Sequence, residues 1–150
     1  MKITSKGNYA LRAILDLSYK SQSNEFVPLV DICKRQSIPV KYLEQIMLAL
    51  KKADFVDSKR GIGGGFFLKR KPDELTIGEV IRQVDGPVDP TAGIKSKNAI
   101  SSNEDQQALQ EVWMNVTGAI SDIVDHVTFA DLMCRAEELR EKNADFNYII

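Results

Sequence analysis

The stretch Ser37-Ile38-Pro39-Val40-Lys41-Tyr42-Leu43-Glu44-Gln45-Ile46-Met47-Leu48-Ala49-Leu50-Lys51-Lys52-Ala53 decides the fold. Leu43, Ile46, Met47 and Leu50 recur at helical spacing and predict the buried stripe of a helix over residues 40–53. Pro39 suits its first turn, where a missing N–H costs nothing. At 100° per residue, Lys41, Gln45 and Lys52 fall on the opposite face, flanked by Tyr42 and Glu44. Leu48 shares that outer face, either as a tolerated exposed apolar residue or as part of a contact surface.

Upstream, Ala10, Ala13, Ile14 and Leu17, widened by Leu11 and Leu15, mark a first amphipathic helix starting near Ser5. Leu29, Ile32 and Cys33 mark a two-turn helix ending near Gln36, and Ser37-Ile38-Pro39 makes a tight connection to the helix at 40–53. Downstream, Val56 to Lys59 and Phe66-Phe67-Leu68 flank Arg60-Gly61-Ile62-Gly63-Gly64-Gly65, a β-hairpin with a glycine-rich tip. Those glycines invite a phosphate-loop reading, but no Lys-Ser/Thr pair and no helix follow them.

Farther on, Thr76 and Glu79 form a capping-box pair ahead of Ile77, Val80, Ile81 and Val84, which predicts a fourth helix. Asp85 to Asn103 has no periodicity and is expected to be a loop of functional length. Leu109, Val112, Trp113, Val116, Ile120, Ile123, Val124 and Val127 then predict a helix over 105–127, about 35 Å long. Its stripe exceeds what a small domain covers, so a second copy of the chain is the expected partner, packing within one chain being the alternative. A last short helix is expected from Thr128, with Asp131 three residues on, ending in the charged run Arg135 to Lys142.

The whole-chain charge of -1 conceals an asymmetry. Residues 1–72 hold 14 Lys+Arg and 6 Asp+Glu, while residues 73–150 hold 6 and 15. A basic front half meets a polyanion; an acidic back half avoids it. No apolar run approaches the roughly 20 residues of a membrane span and the N-terminus has no signal core, so a cytoplasmic protein is expected. The two cysteines, Cys33 and Cys134, stand in helical patterns and are expected to be small hydrophobes, with a redox switch at Cys33 as the alternative. One histidine, His126, and the lack of metal-ligand spacings argue against catalysis and against a metal or cofactor.

A helix-turn-helix presents its second helix to the major groove, and a basic wing tip suits the minor groove. Lys can donate to guanine, Gln can pair with adenine and Glu can accept from cytosine. The expected fold is therefore mainly α with a small β-wing: a winged helix-turn-helix DNA-binding domain at 1–72, a linker helix and sensor-type loop at 73–104, and dimerisation and C-terminal helices at 105–150. Phosphate contacts are expected from Lys6, Lys51, Lys52, Lys59, Lys69, Arg70 and Lys71. A module that docks a metabolic enzyme through the long helix is the second reading.

Thr4-Ser5-Lys6-Gly7-Asn8-Tyr9-Ala10, Tyr42-Leu43-Glu44-Gln45, Arg60 to Phe66, Ile77-Gly78-Glu79-Val80-Ile81 and Thr128-Phe129-Ala130-Asp131-Leu132 together resemble the Rrf-two family of bacterial transcription regulators over residues 1 to about 133. The resemblance implies a homodimeric regulator, a repressor on a pseudopalindromic operator. It places DNA contacts on Lys41, Tyr42, Glu44, Gln45 and Arg60, with Gly61, Gly63 and Gly64 beside the last. Family members that bind an iron–sulfur cluster carry three cysteines in the loop before the long helix. Here Asp85–Asn103 has none, and Gly93 stands where the first is expected. The chain thus resembles the cluster-free branch, which takes its signal from a regulatory protein or small-molecule effector.

Overall fold

A computed structural model describes residues 2–91 and 103–149. It contains α1 (Ser5–Lys20), α2 (Leu29–Gln36), α3 (Val40–Lys52), β1 (Val56–Lys59), β2 (Gly65–Leu68), α4 (Ile77–Asp85), α5 (Glu104–Val124) and α6 (Phe129–Ile149). The expected loop at 85–103, with Gly93, falls mostly outside the described residues.

Leu43, Ile46, Met47 and Leu50 of α3 are fully buried, against Ile14 and Leu17 of α1 and Ile32 of α2 in one core. At roughly 1.5–3 kcal/mol per fully buried large aliphatic side chain, this stripe decides how α3 is rotated. The turn before it is sharp because Ser37 adopts a left-handed conformation (φ 52°) and the Ile38 N–H donates to the Cys33 carbonyl at 3.1 Å. Pro39 occupies the N-cap just before α3 instead of the first turn, and its φ of -60° is one the proline ring favours.

Leu75, Val80 and Phe129 join the same core from beyond the wing, so α4 and the start of α6 pack on the helices that hold α3. Thr76 and Glu79 form the expected capping box: the Glu79 N–H donates to Thr76 Oγ1 at 3.3 Å, and the Thr76 N–H to Glu79 Oε2 at 3.0 Å. Asp85, the last residue of α4, accepts from the Thr4 N–H at 3.0 Å and binds the Thr4 hydroxyl, which ties the end of α4 to the start of α1.

Two expectations change in the C-terminal part. The long helix ends at Val124, so Val127 lies in the following turn, half-buried, with its carbonyl accepting the Ile77 N–H at 3.0 Å. Arg82 of α4 pairs with Asp125 at this corner and anchors the chain as it leaves α5. The last helix is long, 21 residues, and the charged run does not end it. Arg135–Glu138 and Glu137–Arg140 pairs at i,i+3 spacing support the helix instead, and Arg140 reaches Tyr19 of α1 at 3.1 Å. Thr128 and Asp131 cap its start reciprocally, as their spacing suggests.

The angle between α1 and α2 is set by a group that helical periodicity does not reveal. Asp16, 6% exposed on α1, accepts from Arg35 Nε at 3.0 Å, Arg35 Nη2 at 2.8 Å and Gln36 Nε2 at 3.0 Å. Charge-assisted bonds of this bidentate kind are among the stronger polar contacts. Asp16→Ala removes all three bonds and leaves Arg35, whose side chain is 45% exposed, free to be hydrated, so it is expected to lower stability by about 1–3 kcal/mol in urea unfolding, whereas Glu25→Ala, on an exposed pair, changes it by less than ~1 kcal/mol.

Candidate nucleic-acid interface

With one face of α3 buried, Lys41, Tyr42, Glu44, Gln45 and Lys52 are all exposed on the other. Leu48, 57% exposed, lies among them, as its phase requires. The N-terminal half of α1 is brought beside this face: the Tyr9 ring meets Tyr42 edge-on at 6.2 Å, and the Arg12 guanidinium lies 5.5 Å from the Tyr9 ring centre. Lys6, half-buried, is one turn before Tyr9. Arg12 is a basic residue of this neighbourhood that the sequence reading missed. Its signal was the Tyr9/Arg12 i,i+3 spacing, and its closeness to α3 depends on the tertiary packing.

The wing is a two-stranded antiparallel hairpin with Lys59 opposite Gly65 at the tip end and Val56 opposite Leu68 at the root. The Gly64 N–H closes the tip by donating to the Gly61 carbonyl at 3.0 Å. Gly61 (φ 95°) and Gly63 (φ 74°) hold conformations that a side chain would strain. Arg60 and Ile62 project from this turn, both exposed, so an apolar side chain shares the tip with the cation. Lys59 lies 5.6 Å from the Phe26 ring centre, which steadies its stem.

Not every lysine of the basic half reaches outward freely. Lys51 bridges α3 to β1, donating to Ser58 Oγ at 2.6 Å and pairing with Asp57 at 3.3 Å. The Ser58 N–H, with Lys51 behind it, holds the Asp57 carboxyl below its ordinary range. At the wing root Lys69 pairs with Asp54, and Arg70 with Glu79 at 2.8 Å. Burial alone would raise the Glu79 carboxyl, but Arg70 and the Thr76 N–H hold it below the usual value. The expected phosphate donors thus divide: among the described residues Lys6, Lys52, Lys59 and Lys71 carry no ion pair, as do Lys41 and Arg60, whereas Lys51, Lys69 and Arg70 brace the fold.

The long-helix residues present a different surface. None of the described residues of α5 is buried; Leu109, Val112, Trp113 and Ile123 are exposed, and Val116, Ile120 and Val124 are half-covered. His126 is exposed, its Nδ1 lying 2.6 Å from the Asp122 carbonyl in a helix-end arrangement. Cys33 is 7% exposed, and burial pushes its thiol up, with the Glu44 carboxylate adding to the effect. Cys134 is exposed on α6. Among the described residues no three His, Cys, Asp or Glu side chains come together as a metal site. No described helix is long and apolar enough to cross a membrane.

A family model named Rrf2, described as an iron-dependent transcriptional regulator, matches residues 3–135. The chain is 41% identical over 134 residues to the HTH-type transcriptional regulator IscR of Aliivibrio salmonicida, covering 89% of this chain and 77% of that one. Among solved structures it is similar to CymR, the global cysteine regulator of B. subtilis (32% identity, TM-score 0.74, 88% of this chain and 95% of that one). It is also similar to the T. potens IscR (30% identity, TM-score 0.74, 93% and 90%). These relatives are transcription regulators and not enzymes, and their fold agrees with the winged, mostly helical architecture.

The contrast between the two thiols has a direct readout. In the native protein an alkylating reagent should modify Cys134 quickly and Cys33 only after unfolding, so intact-mass analysis is expected to show a single adduct before urea and two after it.

Proposed function

Because the chain belongs to the Rrf2 family of transcriptional regulators, we propose that it is a homodimeric repressor that binds a pseudopalindromic operator and works without the iron–sulfur cluster of its cluster-binding relatives. The observation that carries DNA binding is the two-faced character of α3. Its apolar stripe is sealed in the core, and Lys41, Tyr42, Glu44 and Gln45 are left together on the outside. α3 enters the major groove, where Gln45 reads adenine, Lys41 reads guanine or a phosphate, and Glu44 accepts from cytosine and repels other alignments. Arg60 enters the adjoining minor groove, and the backbone of Gly61, Gly63 and Gly64 lets the tip approach the sugar-phosphate walls. Lys6, Lys52 and Lys59 contact phosphates, with Arg12 beside them.

Dimerisation is supported by α5, roughly 32 Å long and without a buried residue of its own. Leu109, Val112, Trp113, Val116, Ile120, Ile123 and Val124 follow helical spacing along one stripe, the pattern that a second copy would cover. Val127, past the helix end, flanks the contact. Two α3 helices related by that pairing read two half-sites, which is how a homodimer meets a palindrome.

The cluster-free reading rests on the donor set. The chain has two cysteines, neither between Asp85 and Asn103; one is buried on α2 and the other is exposed on α6. That set does not fit three thiolate ligands from one loop. An effector or a regulatory protein is then the source of the signal.

Binding to the chain's own upstream DNA, measured by titration at several salt concentrations, tests the reading. Gln45→Ala is expected to reduce discrimination at one base pair by about 1–3 kcal/mol, and Arg60→Ala to weaken binding mainly at sites with a narrow minor groove. Lys52→Ala should lower affinity for all sequences and reduce the log-log salt slope by about 0.9, whereas Lys69→Ala, at an internally paired position, should leave it nearly unchanged. Equal binding of operator and scrambled DNA by the unmodified protein would refute sequence-specific regulation. In sedimentation equilibrium, Val112→Asp is expected to convert a dimer to monomer and to abolish operator binding with its helix content retained.

A further inference from the structure

On the side of the wing away from its tip, the chain leaves an open cavity of about 720 Å³. Its walls come from three elements that sequence distance keeps apart: the loop after α1 with Gln22 and Asn24, the wing root with Leu68 to Asp73, and the first turns of α6 with Ala130, Met133 and Cys134. A volume of this size is ordinary for a small-molecule pocket, in which apolar walls hold the body of a ligand and a few polar groups orient it.

The lining is divided in that way. Leu68, Pro72, Ala130 and Met133 supply apolar surface, and the side-chain amides of Gln22 and Asn24 supply donors. The basic run Lys69-Arg70-Lys71 supplies charge, with Asp73 as the one carboxylate in the lining. Two of the three cations are already committed, Lys69 to Asp54 and Arg70 to Glu79. Lys71 is exposed and forms no ion pair among the described residues. An uncompensated ammonium beside amide donors and an apolar wall favours an anion with a hydrocarbon part.

We propose that this cavity binds a small amphipathic carboxylate, its charge on Lys71 and its hydrocarbon part against Leu68, Ala130 and Met133. This deepens the reading of the chain as a regulator by naming the class of its effector. The position suits that role. The Ala130 N–H donates to the Pro72 carbonyl and the Phe129 N–H to the Leu75 carbonyl, both at 3.1 Å, so the segment leaving the wing is bound to the start of α6 beside the cavity. A ligand wedged there bears on Leu68 at the end of β2, and β2 is paired with β1, the strand that ends one residue before Arg60. The signal enters from behind the wing and does not need residues 85–103.

Cys134 lines the cavity and is exposed, whereas Cys33 is buried, so one thiol reports occupancy. The full chain is alkylated in the presence of hexanoate or benzoate, with hexanamide and benzamide as neutral counterparts, and adducts are followed by mass. At least one carboxylate should slow modification of Cys134 saturably, about tenfold at ten times its Kd, while its amide should not. Lys71→Gln should remove this protection, and so should Ala130→Trp, which fills the cavity; thermal unfolding checks that both variants fold. The proposal is overturned by absence of protection from both carboxylates, by equal protection from the amides, or by full protection retained in folded Lys71→Gln. Operator binding, titrated without any carboxylate, is a separate measurement. Protection without DNA binding would keep the site and sink the regulator reading, and DNA binding without protection would do the reverse.

Discussion

The rotation of α3 is the constraint on which the rest depends. Leu43, Ile46, Met47 and Leu50 have no accessible surface, and they can be buried together in only one orientation of the helix. Turning α3 by one residue, 100°, would drive Glu44 toward the core and bring an apolar residue out, at a desolvation cost of several kcal/mol for the unpaired carboxylate. The outward set of Lys41, Gln45 and Lys52 is therefore a by-product of hydrophobic burial. The same core reaches across the wing to Leu75, Val80 and Phe129, so whatever moves α4 or the start of α6 acts on the seat of α3.

Much of this was legible from the residues, because the helices of the winged part each carry one apolar stripe and local signals mark several of their starts. The stripe of α3, the Thr76/Glu79 box and the glycine tip of the wing all rest on interactions within a few residues of one another. What was not legible is long-range. Asp16 sits in an otherwise polar-looking position of α1, and nothing local says that Arg35 and Gln36 come to meet it. Lys69 and Arg70 look like phosphate donors until the fold supplies Asp54 and Glu79. Arg12 stacks on Tyr9, and it is the packing of Tyr9 on Tyr42 that sets this pair beside α3.

At the C-terminal helices local pairs and long-range contacts act together. The extension of α6 past Arg135 depends on alternating charges that pair along the helix and on Tyr19 from another element. The earlier end of α5 depends on Arg82 catching Asp125 and on a backbone bond between Ile77 and Val127. A periodic pattern says where a helix can run. Contacts with distant residues decide where it stops.

The bond between Asp85 and Thr4 joins the exit of α4 to the start of α1 and closes the chain between them into a ring. Gly7 sits directly against the Asp85 carboxylate, so the ring closes only where residue 7 has no side chain. In mechanical terms, the start of α1 and the exit of α4 share one clasp. That clasp is polar and exposed, so the two helix ends are held together two residues before Lys6 by bonds that lie outside the hydrophobic core.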